Sequence, residues 1–212
     1  MTAPARINPV WPLLLRAARC ADAPVEAAGR AVSWLFLPMI AIIVFDALSR
    51  RVLRKLDVLI DWGVVEYLNS PVLQDAEWHL HAIIFLAALG YAYNRNAHVR
   101  LDIWRGRFGV TGRLWLEFLG GLLLLAPFLL VLTNHSWDFF LRAWETDEGS
   151  GAANGIEDRW IIKFFVFAGP TLLALSAVSM LLRLAVRLFG PAELAARART
   201  RPIEDASYSA FE

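Results

Sequence analysis

The sequence predicts an all-α integral membrane protein with four transmembrane helices and interfacial amphipathic helices. Of its 212 residues, 58% are hydrophobic and 19% are charged, whereas ordinary soluble domains contain about 45–50% apolar and about 25% charged residues. The apolar residues are gathered in runs that approach the roughly 20 residues a helix needs to cross a bilayer. Lipid offers no partner for unpaired backbone groups, so such runs are expected to be helical.

Four runs meet this expectation. They are residues 31–48, 78–93, 114–133 and 160–182. The second is short by itself, but Ser70 and Pro71 have the character of an N-cap and a first-turn residue, so this helix is expected to begin near residue 71. Prolines inside the spans are expected to kink them, because neighbouring helices can satisfy the freed carbonyl groups. These prolines are Pro38, Pro127 and Pro170.

The basic residues predict the direction of the four spans. Most of the 21 Lys and Arg residues precede the first span, join the second to the third, or follow the fourth. Because cytoplasmic loops carry the excess of Lys and Arg, both termini are expected in the cytoplasm. The connection 49–77, whose apolar residues recur at helical spacing, is expected on the outer surface. Its basic cluster, residues 50–55, works against this orientation, and its acidic residues offset that cluster.

The chain is expected to divide into three parts. They are a cytoplasmic or interfacial segment (1–30), a four-helix membrane domain (31–189) and a cytoplasmic tail (190–212). Residues 10–28 have the pattern of an amphipathic surface helix, with a loosely ordered tail as the alternative. Pro9, Pro12 and Pro24 are expected to keep that helix short. The apolar run near the start is too short for a cleavable signal peptide, so the start is expected to stay cytoplasmic.

Composition and motifs exclude several classes of function. A net charge of +1 without a basic stripe argues against nucleic acid as a partner. The single Cys20 cannot form an intramolecular disulfide. The sequence lacks metal-ligand spacing, a phosphate-binding glycine loop and a nucleophile motif, so neither an enzyme nor a cofactor is predicted.

Ionisable residues are absent from the centres of the predicted spans. Such a residue would be the first candidate for a transport site, because burying it costs several kcal/mol. Asp46, Glu117 and Lys163 lie near span ends, where each can reach the interface. Asp46 is also placed to pair with Arg50 at i+4. A small transporter that works without other subunits, as a dimer, would need a central acid, and none is present.

Histidines leave one further alternative open, a haem-bearing membrane anchor of a respiratory enzyme. His79 and His81 lie near the outer end of the second span, and His135 at the outer end of the third. Residues two apart face different sides of a helix, so only one of the first two histidines can meet His135. Hydrogen-bonding histidines at the interface are the simpler interpretation.

Small residues on the second span permit close helix contact. Ala88 and Ala92 are four residues apart, with Gly90 between them. Packing within the chain and contact with another protein are equally compatible with this pattern.

The turn after the second span has an unusual mixture of residues. His98, Arg100 and Asp102 alternate with apolar residues, so one side of the segment can enter the membrane interface while the other meets water, phosphate or a partner. Asp102 can also cap the short helix that follows. By itself, the segment predicts a re-entry turn at the cytoplasmic face.

Together with its surroundings, this turn resembles a known family. The stretch "LQDAEWHLHAIIFLAALGYAYNRNAHVRLDIW" is similar to the small membrane subunit of tripartite ATP-independent periplasmic (TRAP) transporters, the DctQ-like family. That family has a Glu-Trp pair at the start of its second helix and a His-Val-Arg-Val-Asp type motif at its end. Here Leu101 replaces the commoner Val. "SWDFFLRAWETDEGSG" and "GIEDRWIIKFFVFAGPTLLAL" agree with one branch of the family, and the resemblance covers about residues 31–185.

The resemblance implies a non-enzymatic, multi-pass subunit of the bacterial inner membrane. Its partners would be a large TRAP permease subunit, which holds the sodium and substrate sites, and a periplasmic solute-binding protein that delivers a carboxylate-type solute. Five residues match family motif positions: Glu77, Trp78, His98, Arg100 and Asp102. The first two are expected at the outer end of the second helix, near the binding protein, and the last three at the cytoplasmic turn and subunit interface. The extended connection after the first span departs from the family pattern.

Overall fold

All secondary structure in the described residues is helical. A computed structural model describes residues 8–51, 71–98, 107–149 and 157–198, and within these ranges it contains no strand. The helices, in chain order, are α1 (Val10–Ser33), α2 (Phe36–Arg51), α3 (Pro71–Asn94), α4 (Val110–Gly120), α5 (Ala126–Glu145), α6 (Trp160–Phe189) and α7 (Ala192–Ala195), with a π-helical segment at Gly121–Leu125 between α4 and α5.

Three helical stretches of the described chain are long and apolar enough to cross a membrane. They are Val10–Arg51, Val110–Glu145 and Trp160–Phe189. They contain the first, third and fourth of the predicted spans. The second predicted span, 78–93, lies in α3, whose first half carries acidic residues and histidines. α3 begins at Pro71, as expected from the sequence, whereas the proposed cap Ser70 lies outside the described residues.

The first predicted span is interrupted close to its start. α1 ends at Ser33, and α2 begins at Phe36 after two residues in a turn. Pro38 has no N–H to donate to the carbonyl oxygen of Trp34. The Leu37 N–H donates to that oxygen instead, at 3.3 Å. The effect expected of Pro38 is therefore a break between two helices rather than a bend within one.

The prolines of the amphipathic N-terminal segment do not keep its helix short. α1 runs for 24 residues and contains Pro24 in its interior, so this expectation was wrong. Pro12 lies in the first turn, where a backbone N–H would have no helical partner in any case. The expected helix over 10–28 is thus present, and it extends to Ser33.

A wide turn precedes the proline of the third predicted span. Gly121–Leu125 is π-helical, and the Ala126 N–H donates to the oxygen of Gly121, five residues earlier. Pro127 follows directly and would otherwise place its ring against the carbonyl of Leu123. The wider π turn removes this clash within an otherwise continuous helix.

The chain forms two compact units. Unit 1 comprises residues 1–28, 89–132 and 170–212, and unit 2 comprises residues 29–88 and 133–169. The core of unit 1 has two apolar clusters. One is built on Leu114, Met180 and Leu184, with Tyr93, Phe118 and Leu188 packed against it. The other is built on Val186, Leu194 and Ala198, with Trp11, Leu14 and Leu15 packed against it.

Glycine allows two helices of unit 1 to approach closely. A Cβ atom at Gly90 of α3 would lie 2.6 Å from the backbone oxygen of Leu172 in α6. The Ser176 hydroxyl of α6 lies 3.0 Å from the Gly90 oxygen and 3.1 Å from the Leu172 oxygen, so it can donate to either. Gly90 therefore packs against α6 within the chain, on a different side of the helix from Ala88 and Ala92.

Aromatic rings join α5 to α6 in unit 2. Trp144 of α5 and Trp160 of α6 meet edge to face with centroids 4.6 Å apart. Trp137 and Phe167 join the same two helices, with centroids 4.9 Å apart. Such pairs contribute about 0.5–1.5 kcal/mol each beyond the area they bury.

Candidate subunit-interface positions

Trp78 lies near the start of α3, and a hydrogen bond within one turn of that helix fixes the direction of its side chain. Its indole N–H donates to Asp75 Oδ1 at 3.0 Å, while the side chain remains 42% exposed. Nδ1 of the neighbouring His79 lies 2.6 Å from the backbone oxygen of Asp75. Since a carbonyl oxygen only accepts, Nδ1 is the nitrogen that carries the proton. The two rings lie 3.8 Å apart between centroids, so Asp75 orients both.

Glu77, the other predicted residue of this pair, is incompletely satisfied. Its Oε1 atom is buried, and the described structure gives it no hydrogen-bond partner; the same holds for Nε2 of His79. Leaving a buried polar atom unpaired costs about 1–3 kcal/mol. Glu77 interacts electrostatically with Arg50, but Arg50 already forms an ion pair with Asp46. The first turns of α3 therefore combine an exposed indole with a buried carboxylate oxygen that has no hydrogen-bond partner among the described residues.

The end of α3 is a Schellman motif. Asn96 has a positive φ of 56°, the left-handed conformation that Asn tolerates better than most residues. The Ala97 N–H donates to the Ala92 oxygen at 2.9 Å, and the Asn96 N–H to the Tyr93 oxygen at 3.1 Å. These two bonds satisfy carbonyl groups that the helix end would leave unpaired.

His98, the third predicted residue, folds back on this motif. Its Nε2 lies 3.3 Å from the backbone oxygen of Leu89, and its ring centroid is 6.1 Å from that of Tyr93. The side chain is half-buried. His98 therefore packs on the last turns of α3, within unit 1. Glu77 and Trp78 belong to unit 2. The remaining predicted residues, Arg100 and Asp102, lie outside the described residues.

A polar network of unit 1 was missed from the sequence. Asp22 of α1 forms an ion pair with Arg183 of α6, and its other carboxylate oxygen accepts from Asn94 Nδ2 of α3 at 3.2 Å. Four residues on, Glu26 pairs with Arg95 at 2.9 Å. The hydrogen bond from Arg95 to Glu26 raises the pKa of the guanidinium above its ordinary value. The N-terminal helix is thus joined to two other helices by its acidic residues.

Two of the ionisable side chains near span ends, Asp46 and Lys163, are also paired. Asp46 is buried and pairs with Arg50, as the i+4 spacing predicted. Lys163, only 15% exposed, pairs with Glu148 and lies 4.1 Å from the ring centroid of Phe139. Desolvated charges are tolerated when they are paired in this way.

The histidines can now be placed individually. His79 directs Nδ1 to its own helix, and His81 and His135 are both exposed. Within the described ranges, no group of three or more His, Cys, Asp or Glu side chains is arranged to hold a metal ion.

The family is decided by comparison with known proteins. A model of the family described as tripartite ATP-independent periplasmic transporters, DctQ component, matches residues 39–187. The chain belongs to this family. Neither the curated proteins nor the solved structures compared with the chain gave a match.

Membership makes this chain a component of a TRAP transporter, and it confirms the resemblance read from the sequence. The DctQ component is part of a transport system and the family is not enzymatic. The haem-anchor alternative gains no support from the match. The matched range contains all five predicted site residues.

Proposed function

We propose that the chain is the small permease subunit that braces the large permease subunit of a TRAP transporter in the bacterial inner membrane. The transporter takes up a carboxylate-type solute, coupled to sodium and delivered by a periplasmic solute-binding protein. The observation that carries this proposal is the DctQ match over residues 39–187. The family name itself supplies the tripartite organisation, and therefore the expectation of two other components.

The distribution of charge supports a bracing role. No Asp, Glu, Lys, Arg or His occurs in residues 118–134 or in residues 164–182. Lys163 and Arg183, which border the second stretch, are held in ion pairs with Glu148 and Asp22. A solute or ion path through the chain would require polar groups at mid-membrane. We therefore assign the path to the large subunit.

The proposal includes four spans with both termini in the cytoplasm. α3 is the span in question, and its 24 residues are enough for about 36 Å of helix. The basic residues in and before α1, those between α3 and α4, and those in the last turns of α6 and after it support this orientation through the positive-inside rule. Cysteine-accessibility labelling in intact cells tests it, after Cys20→Ser removes the native thiol. A cysteine at Glu148 should react with an impermeant maleimide, and one at Glu193 should react only after lysis.

The five motif residues are proposed as contact positions rather than transport residues. Glu77 and Trp78 are assigned to the outer side, where the exposed indole of Trp78 is available to another protein. The Oε1 atom of Glu77 is buried and has no hydrogen-bond partner among the described residues, so Glu77 is assigned a positioning role at this end of α3. His98, Arg100 and Asp102 form the cytoplasmic turn that meets the large subunit. The bond from His98 to the Leu89 oxygen holds the His98 side chain at the end of α3.

Co-purification tests the partnership. A tagged chain expressed with the large permease should retain it through size-exclusion chromatography in mild detergent. Failure to retain any large membrane protein, although both are expressed, would contradict the proposal. In proteoliposomes that contain both subunits, adding the binding protein loaded with solute should give uptake only with an inward sodium gradient.

Variants at the turn test the contact positions. Arg100→Ala or Asp102→Ala should reduce recovery of the large subunit and solute uptake, with membrane insertion unchanged. Arg142→Ala, which changes an exposed arginine of unit 2, is the matched control for charge. In the first turns of α3, Glu77→Gln should reduce solute uptake more than the control Glu145→Gln. Normal assembly and uptake in both turn variants would remove Arg100 and Asp102 from the interface.

A further inference from the structure

A basic cavity of about 300 Å³ lies within unit 1. Four arginines line it: Arg16 and Arg19 from α1, Arg183 from α6, and Arg197 from the turn after α7. Its size is at the lower end of the range of about 300–1,000 Å³ for ligand pockets. Four arginine residues from three segments of the chain therefore line one small space.

The positive charge of the cavity is only partly neutralised. Arg183 pairs with Asp22, and the Arg19 Nε–H donates to the backbone oxygen of Leu15 in its own helix at 3.4 Å. In the part of the chain that the structure describes, no acidic side chain is paired with Arg16 or Arg197. Arg16, Arg19 and Arg197 are all exposed, so their donors are available to a ligand. None of the described residues that line the cavity is acidic, so the lining favours an anion over a cation.

Apolar side chains form the rest of the cavity. Leu15 and Leu194 line it, and both belong to the cluster built on Val186, Leu194 and Ala198. Trp11 and Leu14 of α1 also pack against that cluster. A fully hydrated inorganic ion gains nothing from such a wall, whereas a lipid headgroup brings its glycerol and the start of its acyl chains.

We propose that this cavity binds the phosphate group of an anionic membrane lipid. Guanidinium groups donate two parallel hydrogen bonds to phosphate oxygens, and arginine is favoured where phosphate is recognised. Basic pockets between membrane helices on the cytoplasmic side are suited to anionic headgroups. The bound lipid joins α1 to α6 and to the segment after α7, because each contributes an arginine. Lipid binding at this cavity does not depend on which solute the transporter carries.

The test uses the full-length chain in nanodiscs and native mass spectrometry. The wild-type chain is placed in nanodiscs of phosphatidylcholine alone or in nanodiscs that also contain phosphatidylglycerol or cardiolipin. The number of lipid molecules retained per chain is then counted for each composition. Arg16→Ala with Arg197→Ala should lower retention of the anionic lipid. Removal of one basic residue lowers the affinity for an anionic membrane lipid about fivefold, so the affinity of the double variant should be roughly 25-fold lower than that of wild type.

Two control variants separate recognition from net charge. Arg142→Ala with Arg113→Ala removes the same formal charge away from the cavity and should leave retention unchanged. Arg16→Lys with Arg197→Lys keeps the charge but loses the two-pronged geometry, and should give an intermediate loss. None of these variants changes Arg183 or Asp22, so the ion pair between those two residues is kept. Circular dichroism checks that each variant is folded.

Three results would overturn the proposal. The first is equal retention of anionic lipid by wild type and the Arg16, Arg197 double alanine variant. The second is an equal loss in the Arg142, Arg113 variant, which would mean non-specific charge attraction. The third is displacement of the lipid by millimolar inorganic phosphate, with the same thermal stabilisation from phosphate alone. That outcome would assign the cavity to a free anion.

Discussion

The close contact at Gly90 predicts that a single methyl group will destabilise the chain. In Gly90→Ala, the new Cβ would lie 2.6 Å from the Leu172 oxygen and 2.8 Å from Ser176 Oγ. Normal non-bonded contacts are about 3.5 Å or longer. The first obstacle is backbone of another helix, so no side-chain rotation can relieve it, and α3 and α6 must move apart by nearly 1 Å.

The expected magnitude follows from two opposing effects. Overpacking of this kind costs about 1–3 kcal/mol, and separation of the helices also weakens the 3.0 Å bond from Ser176 to the Gly90 oxygen. Alanine has a better helix propensity than glycine, by about 1 kcal/mol. The net effect should be a loss of about 1–2 kcal/mol, or roughly 2–8 °C in Tm for a chain of this size.

Gly120→Ala is the matched control for this substitution. Gly120 is also helical, with φ −61° and ψ −42°, but a Cβ there would meet nothing within 4 Å. Its substitution should be neutral or stabilising by up to about 1 kcal/mol. Thermal unfolding is followed by circular dichroism in one detergent for both variants. A Gly90→Ala variant as stable as Gly120→Ala would refute the close helix contact.

Ion pairs give three further predictions, each measured by the same thermal unfolding. Asp22→Asn should lower the free energy of unfolding by about 1–3 kcal/mol, because Arg183 loses a charged acceptor in a largely buried setting. Glu26→Gln should cost less, at most about 1 kcal/mol, because its ion pair is more exposed, and 0.5 M salt should narrow the difference from wild type. An equal loss in the free energy of unfolding for Asp22→Asn and Glu26→Gln would contradict the expectation that the more buried ion pair stabilises the chain more. Lys163→Met should destabilise the chain by leaving Glu148 without its cation, and the double change with Glu148→Gln should recover much of the loss.

The helical composition and the ends of several helices could be predicted from the sequence. Hydrophobic runs and turn residues are local signals, so α3 begins at Pro71 and α6 begins at Trp160, where the fourth span was expected. The pair of Asp46 with Arg50 was also local, because it depends only on i+4 spacing. The break at Trp34 and Leu35 was not foreseen, since the apolar run continues through it and only Pro38 marks it.

The polar contacts between helices could not be predicted in the same way. Asp22 is 161 positions from Arg183 and 72 from Asn94, so no spacing within one helix reveals the network. The arginines of the basic cavity were predicted only as cytoplasmic positive charge, because their convergence depends on how α1 packs on α6. The small residues around Gly90 indicate that another helix can approach closely, but they do not indicate which helix it is.

The most direct test of the account is transport by the isolated chain. The proposed role assigns every solute and ion path to the large permease subunit, since residues 118–134 and 164–182 carry no ionisable group. The chain is reconstituted alone into vesicles, and radiolabelled sodium and a labelled organic acid are followed with and without a membrane potential. The account predicts no flux above that of empty vesicles, and uptake once the large subunit and the loaded binding protein are added. Flux of either species through the chain alone would contradict it.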